Sequence, residues 1–243
     1  MMTSTNPPGK KASRSLVDRV CDDLSSLVMH SLPPNGFLPP EHELTARFGV
    51  SRTVLREATK RLESLGLLES RHGVGVQVVH RLHQSVTRSL SVLVSDRHQL
   101  LRQTMEVRQM LEVETARRAA EQLSTQAITT LRHLHEQLTH ADSVDEAARL
   151  DVAFHQAIAS AAGNALVALL LDSISDLGAE SRKLTMSRSG ILHAVQQHEQ
   201  ILTALERRDG EAAGDAMRIH LNHASEDLLA QLSNRPTDAT VKA

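Results

Sequence analysis

Apolar residues recur at helical spacing near the start of the chain: Leu16, Val17, Val20, Leu24, Leu27 and Val28 share one face, and Pro33-Pro34 ends the run. Pro39-Pro40 precedes a short helical segment over Glu41 to Phe48, with Gly49 where a helix would stop. Ser51 is a good N-cap for a third helix, which turns Val54, Leu55, Ala58, Leu62 and Leu65 inward and ends at Gly66. The period then changes to two. Leu67 to Arg71 and Gly75 to Val79 are predicted strands, joined across the turn that His72-Gly73-Val74-Gly75 forms. Beyond His80 the Gly and Pro signals nearly vanish, and the pattern predicts helices near 84–94, 97–122, 124–140, 144–162, 164–186, 190–207 and 210–232.

These elements predict a mainly α chain in two parts. Residues 13–81, three helices plus a β-hairpin wing, have the order of a winged helix-turn-helix, and residues 97–234 form an all-α helical bundle. A linker helix over 82–96 joins them, and the polar ends 1–12 and 235–243 read as disordered tails.

Composition narrows the setting. With 40% apolar and 23% charged residues, the chain has the make-up of a soluble globular protein. Only three Phe and no Trp or Tyr are present, so Leu, Val, Ile and Ala must fill the core. The longest apolar run, Ala165 to Leu171, falls far short of the roughly 18 residues of a membrane span. Met1 to Ser15 lacks the apolar stretch of a secretory signal, so a cytoplasmic location with no membrane partner is expected. The single Cys21 allows no internal disulfide and reads as a small core residue. The net charge of −2 conceals an asymmetry: residues 1–81 hold 11 Lys/Arg against 8 Asp/Glu, and the remainder 16 against 21. A basic first third suits a polyanionic partner.

In a helix-turn-helix the second helix enters the major groove, and its first residues reach bases and phosphates. Here that stretch is Ser51-Arg52-Thr53-Val54-Leu55-Arg56. Arg52 and Arg56 are four apart and share the face opposite the apolar stripe, and Lys60 continues it. Arg can bond guanine bidentately, Ser51 and Thr53 suit phosphates, and His72 with Gly73 is placed to meet the adjacent minor groove.

Helical phase also sorts the ten histidines from residue 81 onward. Ala148, Asp151, His155, Ile158 and Ala162 share one stripe. So do Ile191, Val195, His198, Leu202 and Leu205, and likewise Ala213, Met217, His220 and Ala224. Asp151, His155, His198 and His220 therefore take core-facing positions. Burying four such groups costs several kcal/mol unless they are paired, and a divalent cation is an efficient common partner. Zinc is the default for these borderline ligands, and nickel or manganese also fits. His193 and His223 lie off the stripes, on faces expected to be solvated. Arg108 shares a stripe with Leu101, Met105 and Leu111; it either projects inward toward an anionic effector or forms a surface ion pair with Glu112.

The run Gly36-Phe37-Leu38-Pro39-Pro40-Glu41, Leu44, Phe48-Gly49-Val50-Ser51-Arg52-Thr53-Val54-Leu55-Arg56-Glu57-Ala58, Leu62, Gly66-Leu67 and Gly73 resembles the signature of the GntR family of bacterial regulators. Two positions depart from it: Pro40 stands where a small residue is usual, and His42 where members often carry a DNA-contacting Arg. The pattern Arg108 with Glu112, Asp151-x-x-Phe154-His155, Gly163-Asn164, His198, Asp209, Ala213 and His220 is similar to the FCD ligand-binding domain of the FadR-type subfamily. That resemblance implies Asp151, His155, His198 and His220 as metal ligands. It further implies a homodimer on double-stranded operator DNA, with a small organic acid releasing a repressor. No nucleophile or carboxylate base accompanies the four residues, so no catalytic residue is assigned and no enzyme is expected. The alternatives are a regulator for which the metal ion itself is the signal, and a metal-dependent hydrolase.

Overall fold

A computed structural model describes residues 14–31, 36–94 and 96–233. The expected tails and the Pro33-Pro34 stop lie outside them. The chain forms two compact units divided between Ser85 and Val86.

In the first unit, α1 (Leu16–Ser31) buries Val20, Leu24, Leu27 and Val28, as its apolar spacing dictates. Helix α2 (Glu41–Phe48) ends on Gly49, whose left-handed φ of 63° lets its N–H bond back to the Thr45 carbonyl. Helix α3 (Arg52–Ser64) starts at the Ser51 cap, whose hydroxyl accepts from the Val54 N–H, and buries Leu55, Ala58 and Leu62. Strands β1 (Leu68–Arg71) and β2 (Gly75–Val78) pair antiparallel, Leu68 opposite Val78 and Arg71 opposite Gly75. The segment before α2 extends this sheet: Leu38 N–H donates to Val76, and Val78 N–H to Gly36.

Leu65 corrects the sequence reading. It is 48% exposed rather than inward, because α3 ends at Ser64 and the chain reverses through Gly66, at φ 80°. Leu67 and Leu68 take the core positions instead. Only glycine fits at 66, since a Cβ there would lie 2.3 Å from the Arg81 carbonyl oxygen.

Helix α4 (Leu82–Leu93) follows. It presents no fully buried residue. The second unit continues as α5 (Arg97–Gln122), α6 (Thr125–Thr139), α7 (Val144–Ala161), α8 (Ala165–Ser189), α9 (Ile191–Glu206) and α10 (Gly210–Ser233). Asp96, Ser124, Ser143 and Asn164 cap α5, α6, α7 and α8 by accepting backbone N–H bonds. Helix α8 runs to Ser189 rather than 186, because the break comes only at Gly190, at φ 85°. Without Trp or Tyr the core is aliphatic, built on residues such as Met105, Leu131, Ile158 and Leu202, with Phe154 its single aromatic of that kind. Among the described residues no helix is long and apolar enough to cross a membrane.

Candidate functional site

Within the second unit a polar layer interrupts the apolar core. Helix α5 supplies Arg108 and Glu112, α7 Asp151 and His155, α8 Arg182, α9 Gln197 and His198, and α10 His220; all are buried. The stripe Ala148, Asp151, His155, Ile158 and Ala162 is buried throughout, which is what carries the Asp151 and His155 side chains inward. His198 and His220 follow from the buried faces of α9 and α10, although Ile191, Val195 and Ala224 at the stripe ends are only half-buried.

Asp151, His155, His198 and His220 converge. Each offers one ligand atom, and these atoms all lie within 4.8 Å of one another. The three rings form a triangle with centroids 5.2, 5.1 and 5.0 Å apart, and Phe154 stacks on His198 at 4.3 Å. Asp151 Oδ1 lies 3.1 Å from His198 Nε2 and 3.8 Å from His155 Nε2, while Oδ2 accepts from Arg182 Nε at 2.5 Å. Both ring nitrogens of His155 and of His198 lack a properly directed hydrogen bond. The 2.5 Å approach of His155 Nδ1 to Glu112 Oε2 is close in distance but off the required line. Buried nitrogens left so cost about 1–3 kcal/mol each, and a metal ion is a partner that would accept one lone pair from each ring at once.

The surroundings suit that role. His220 Nδ1–H donates to Gln197 Oε1 at 2.8 Å, which leaves the Nε2 lone pair for the cluster. Burial, then the neighbouring His198 and His155, hold His220 well below its usual pKa. Burial likewise lowers His198. Burial alone would raise Asp151, but His155, His198 and Arg182 outweigh it and keep the carboxyl well below its usual range. The set is therefore one carboxylate and three imidazoles, of which His198 and His220 are biased to the neutral, ligating form.

Arg108 projects inward and pairs with Glu112 at once. Its partner is Glu112, with Nε donating to Oε1 at 2.6 Å, yet the pair is buried rather than superficial and Arg108 borders the adjoining cavity. Sequence reasoning missed Arg182 and Gln197. His223 is exposed, as its off-stripe position implies, whereas His193 is half-buried; Gln197 Nε2 donates to His193 Nε2 at 2.9 Å and to His223 Nδ1 at 2.5 Å, and both rings border the cavity. The available signal was Asp151 itself, a buried carboxylate whose second oxygen needs a donor from another helix.

On the first unit the sequence-selected residues Arg52, Thr53, Arg56 and Lys60 are exposed on α3, His42 on the first turn of α2, and His72 and Gly73 at the hairpin turn. Ser51 is exposed, with its hydroxyl engaged in the cap. Arg56 Nε donates to Glu41 Oε2 at 2.9 Å, and Arg52 Nε lies 3.7 Å from Glu41 Oε1. One α2 carboxylate thus gathers the two arginines.

Residues 16–78 match the model of bacterial regulatory proteins of the gntR family, and residues 103–223 match the FCD domain. The chain is 30% identical over 209 residues to the HTH-type transcriptional regulator LutR of Bacillus subtilis, covering 82% of this chain and 94% of that one. The chain belongs to the GntR family. It is a DNA-binding transcription regulator with a ligand-sensing FCD domain, and its relatives are regulators rather than enzymes. The Glc operon transcriptional activator of Escherichia coli is also 30% identical, over 90% of this chain and 91% of its own. The GntR-family fold extends to a solved structure, Streptococcus agalactiae GntR, with a TM-score of 0.74 at 26% identity over 86% of this chain and 99% of that one.

Proposed function

We propose that this GntR-family regulator is a cytoplasmic homodimeric repressor that leaves its operator when a small organic acid binds beside a divalent metal in the FCD domain. The observation that carries the metal reading is the convergence of Asp151, His155, His198 and His220 with buried ring nitrogens lacking partners. These four residues would hold the ion, zinc by default for three imidazoles and one carboxylate, with nickel or manganese compatible. When bound, the metal supplies a Lewis-acidic centre with positions open to an effector oxygen. Gln197 and Glu112 orient the His220 and His155 rings, Arg182 holds Asp151, and Arg108 acts on the effector through its charge at the cavity.

The 13–81 head reads double-stranded DNA. Arg52 and Arg56 address bases and Ser51, Thr53 and Lys60 address phosphates, with His42 at the start of α2 and His72-Gly73 on the wing as flanking contacts. Two heads in a symmetric dimer match a pseudo-palindromic operator, and the linker helix α4 carries the effector's influence to their spacing. Release requires that the acid bind the DNA-free arrangement more tightly, by about 1–3 kcal/mol for typical coupling.

Operator titrations of metal-loaded protein, followed by fluorescence anisotropy with and without candidate acids, test the reading. Operator affinity should fall roughly 5- to 150-fold with the correct acid. Unchanged affinity with every acid tried, at full metal loading, overturns it.

A further inference from the structure

One buried charged side chain of the polar layer has unused hydrogen-bonding capacity. Arg182 is 3% exposed and donates Nε to Asp151, while both terminal nitrogens are buried with no hydrogen-bond acceptor among the described residues. Arg108 differs. Its Nε and Nη2 face Glu112, and its Nη1 lies 3.5 Å from Met105 Sδ. Arg182 borders the same cavity. Gly178, one turn earlier on α8, makes room for it, since a Cβ there would come within 3.0 Å of Nη1.

Charge points the same way. Arg108 and Arg182 balance Glu112 and Asp151 in the layer. A divalent cation added to that balance leaves two positive charges without partners in a low-dielectric site, which only an anion can offset. The cavity is small, about 30 Å³, so an occupant must be small.

The geometry points to Arg182 as the effector-recognising residue: its two terminal nitrogens clamp one carboxylate of a small acid bidentately, while a second oxygen of that acid faces the metal cluster. The ligand class is a short carboxylate bearing a further oxygen donor, a hydroxy acid or a short dicarboxylate. This assignment rests on the metal reading above. A carboxylate matches the planar guanidinium fork in shape and charge, whereas a neutral amide offers a single acceptor.

Calorimetric titration of the zinc-loaded full chain with glycolate and malonate, and with glycolamide and malonamide, tests it alongside elemental analysis of Arg182→Lys and Arg182→Gln. At least one acid should bind the unaltered protein, with its amide weaker by about ten-fold or more. Both variants should keep their zinc and bind that acid about ten-fold or more weakly, because Lys retains the charge but not the fork. Affinity within about two-fold of the unaltered protein, in either zinc-retaining variant, overturns the assignment. Loss of zinc from both variants also overturns it, since Arg182 would then serve only to hold Asp151. Where neither variant folds, the acid-to-amide ratio in the unaltered protein decides, and equal affinities overturn the clamp. Failure of the unaltered protein to hold zinc, or to bind either acid, overturns the functional reading itself, whatever the variants do.

Discussion

Two arginine–glutamate pairs mark the two halves of this regulator, and their chemistry is the same while their surroundings are opposite. In the head, Arg56 meets Glu41 at 2.9 Å with the side chains 67% and 34% exposed. In the sensor, Arg108 meets Glu112 at 2.6 Å with 3% and 5% exposed. The head keeps its charges in water, where they are weakly held. The sensor removes its charges from water, so each must be compensated in place. Burial of Glu112 would raise its pKa, but Arg108 and then His155 hold it well below the usual range. A surface pair is a reversible contact; a buried pair is part of the fold.

Breaking each pair sharpens the contrast, and the largest effect belongs to the sensor. Glu112→Ala strands the Arg108 guanidinium and should destabilise the folded sensor by about 3–5 kcal/mol. Glu41→Ala should leave thermal stability nearly unchanged, since exposed pairs contribute little. Thermal melting by circular dichroism measures both. Comparable melting shifts for the two substitutions would remove the distinction between the halves.

Metal removal comes next. If the cluster holds a metal, chelation withdraws a ligand bound only by the folded state, about 4 kcal/mol at a thousand-fold excess over Kd. Calorimetry should show a lower sensor transition on adding chelator, with operator affinity in the absence of acid unchanged. A chelator that switches operator binding by itself would instead make the metal the signal.

The same contrast explains what was legible in the sequence. In the head the stretch proposed to read DNA, Ser51 to Arg56, is contiguous, and its cap, apolar stripe and cationic face are all local patterns, so residue spacing alone is enough to place the helix and its exposed face. Its one misplaced residue, Leu65, fell where the chain leaves the helix and periodicity ceases to apply. In the sensor, phase alone put Asp151, His155, His198 and His220 inward, because inward orientation is a property of a single helix. Arg182 and Gln197 escaped, since their importance lies in partners on other helices: Asp151 for Arg182, and chiefly the α10 histidines 220 and 223 for Gln197. Pairing across helices has no signature in linear spacing.

Within the head, Arg52→Ala and Arg56→Ala should each weaken operator binding roughly 5- to 100-fold and relax base preference, if each arginine reads a base. Lys60→Ala should weaken all sequences alike and reduce the salt slope by about one. Anisotropy titrations against operator and scrambled DNA at several salt concentrations separate the two. Equal, sequence-independent losses at all three positions would make the face a mere phosphate-binding surface.

The smallest effect tests how lightly the head holds its charges. Glu41 lies within 3.7 Å of Arg52 and 2.9 Å of Arg56, so an arginine that turns to a base must first leave it. Glu41→Gln removes that competitor and one negative charge from the face proposed to meet phosphates, while keeping the side chain's shape. Operator affinity should rise by about two- to five-fold, the scale of one exposed ion pair, with melting unchanged. A fall in affinity would mean that Glu41 aligns the arginines for DNA, and the head would then resemble the sensor in relying on fixed charge geometry.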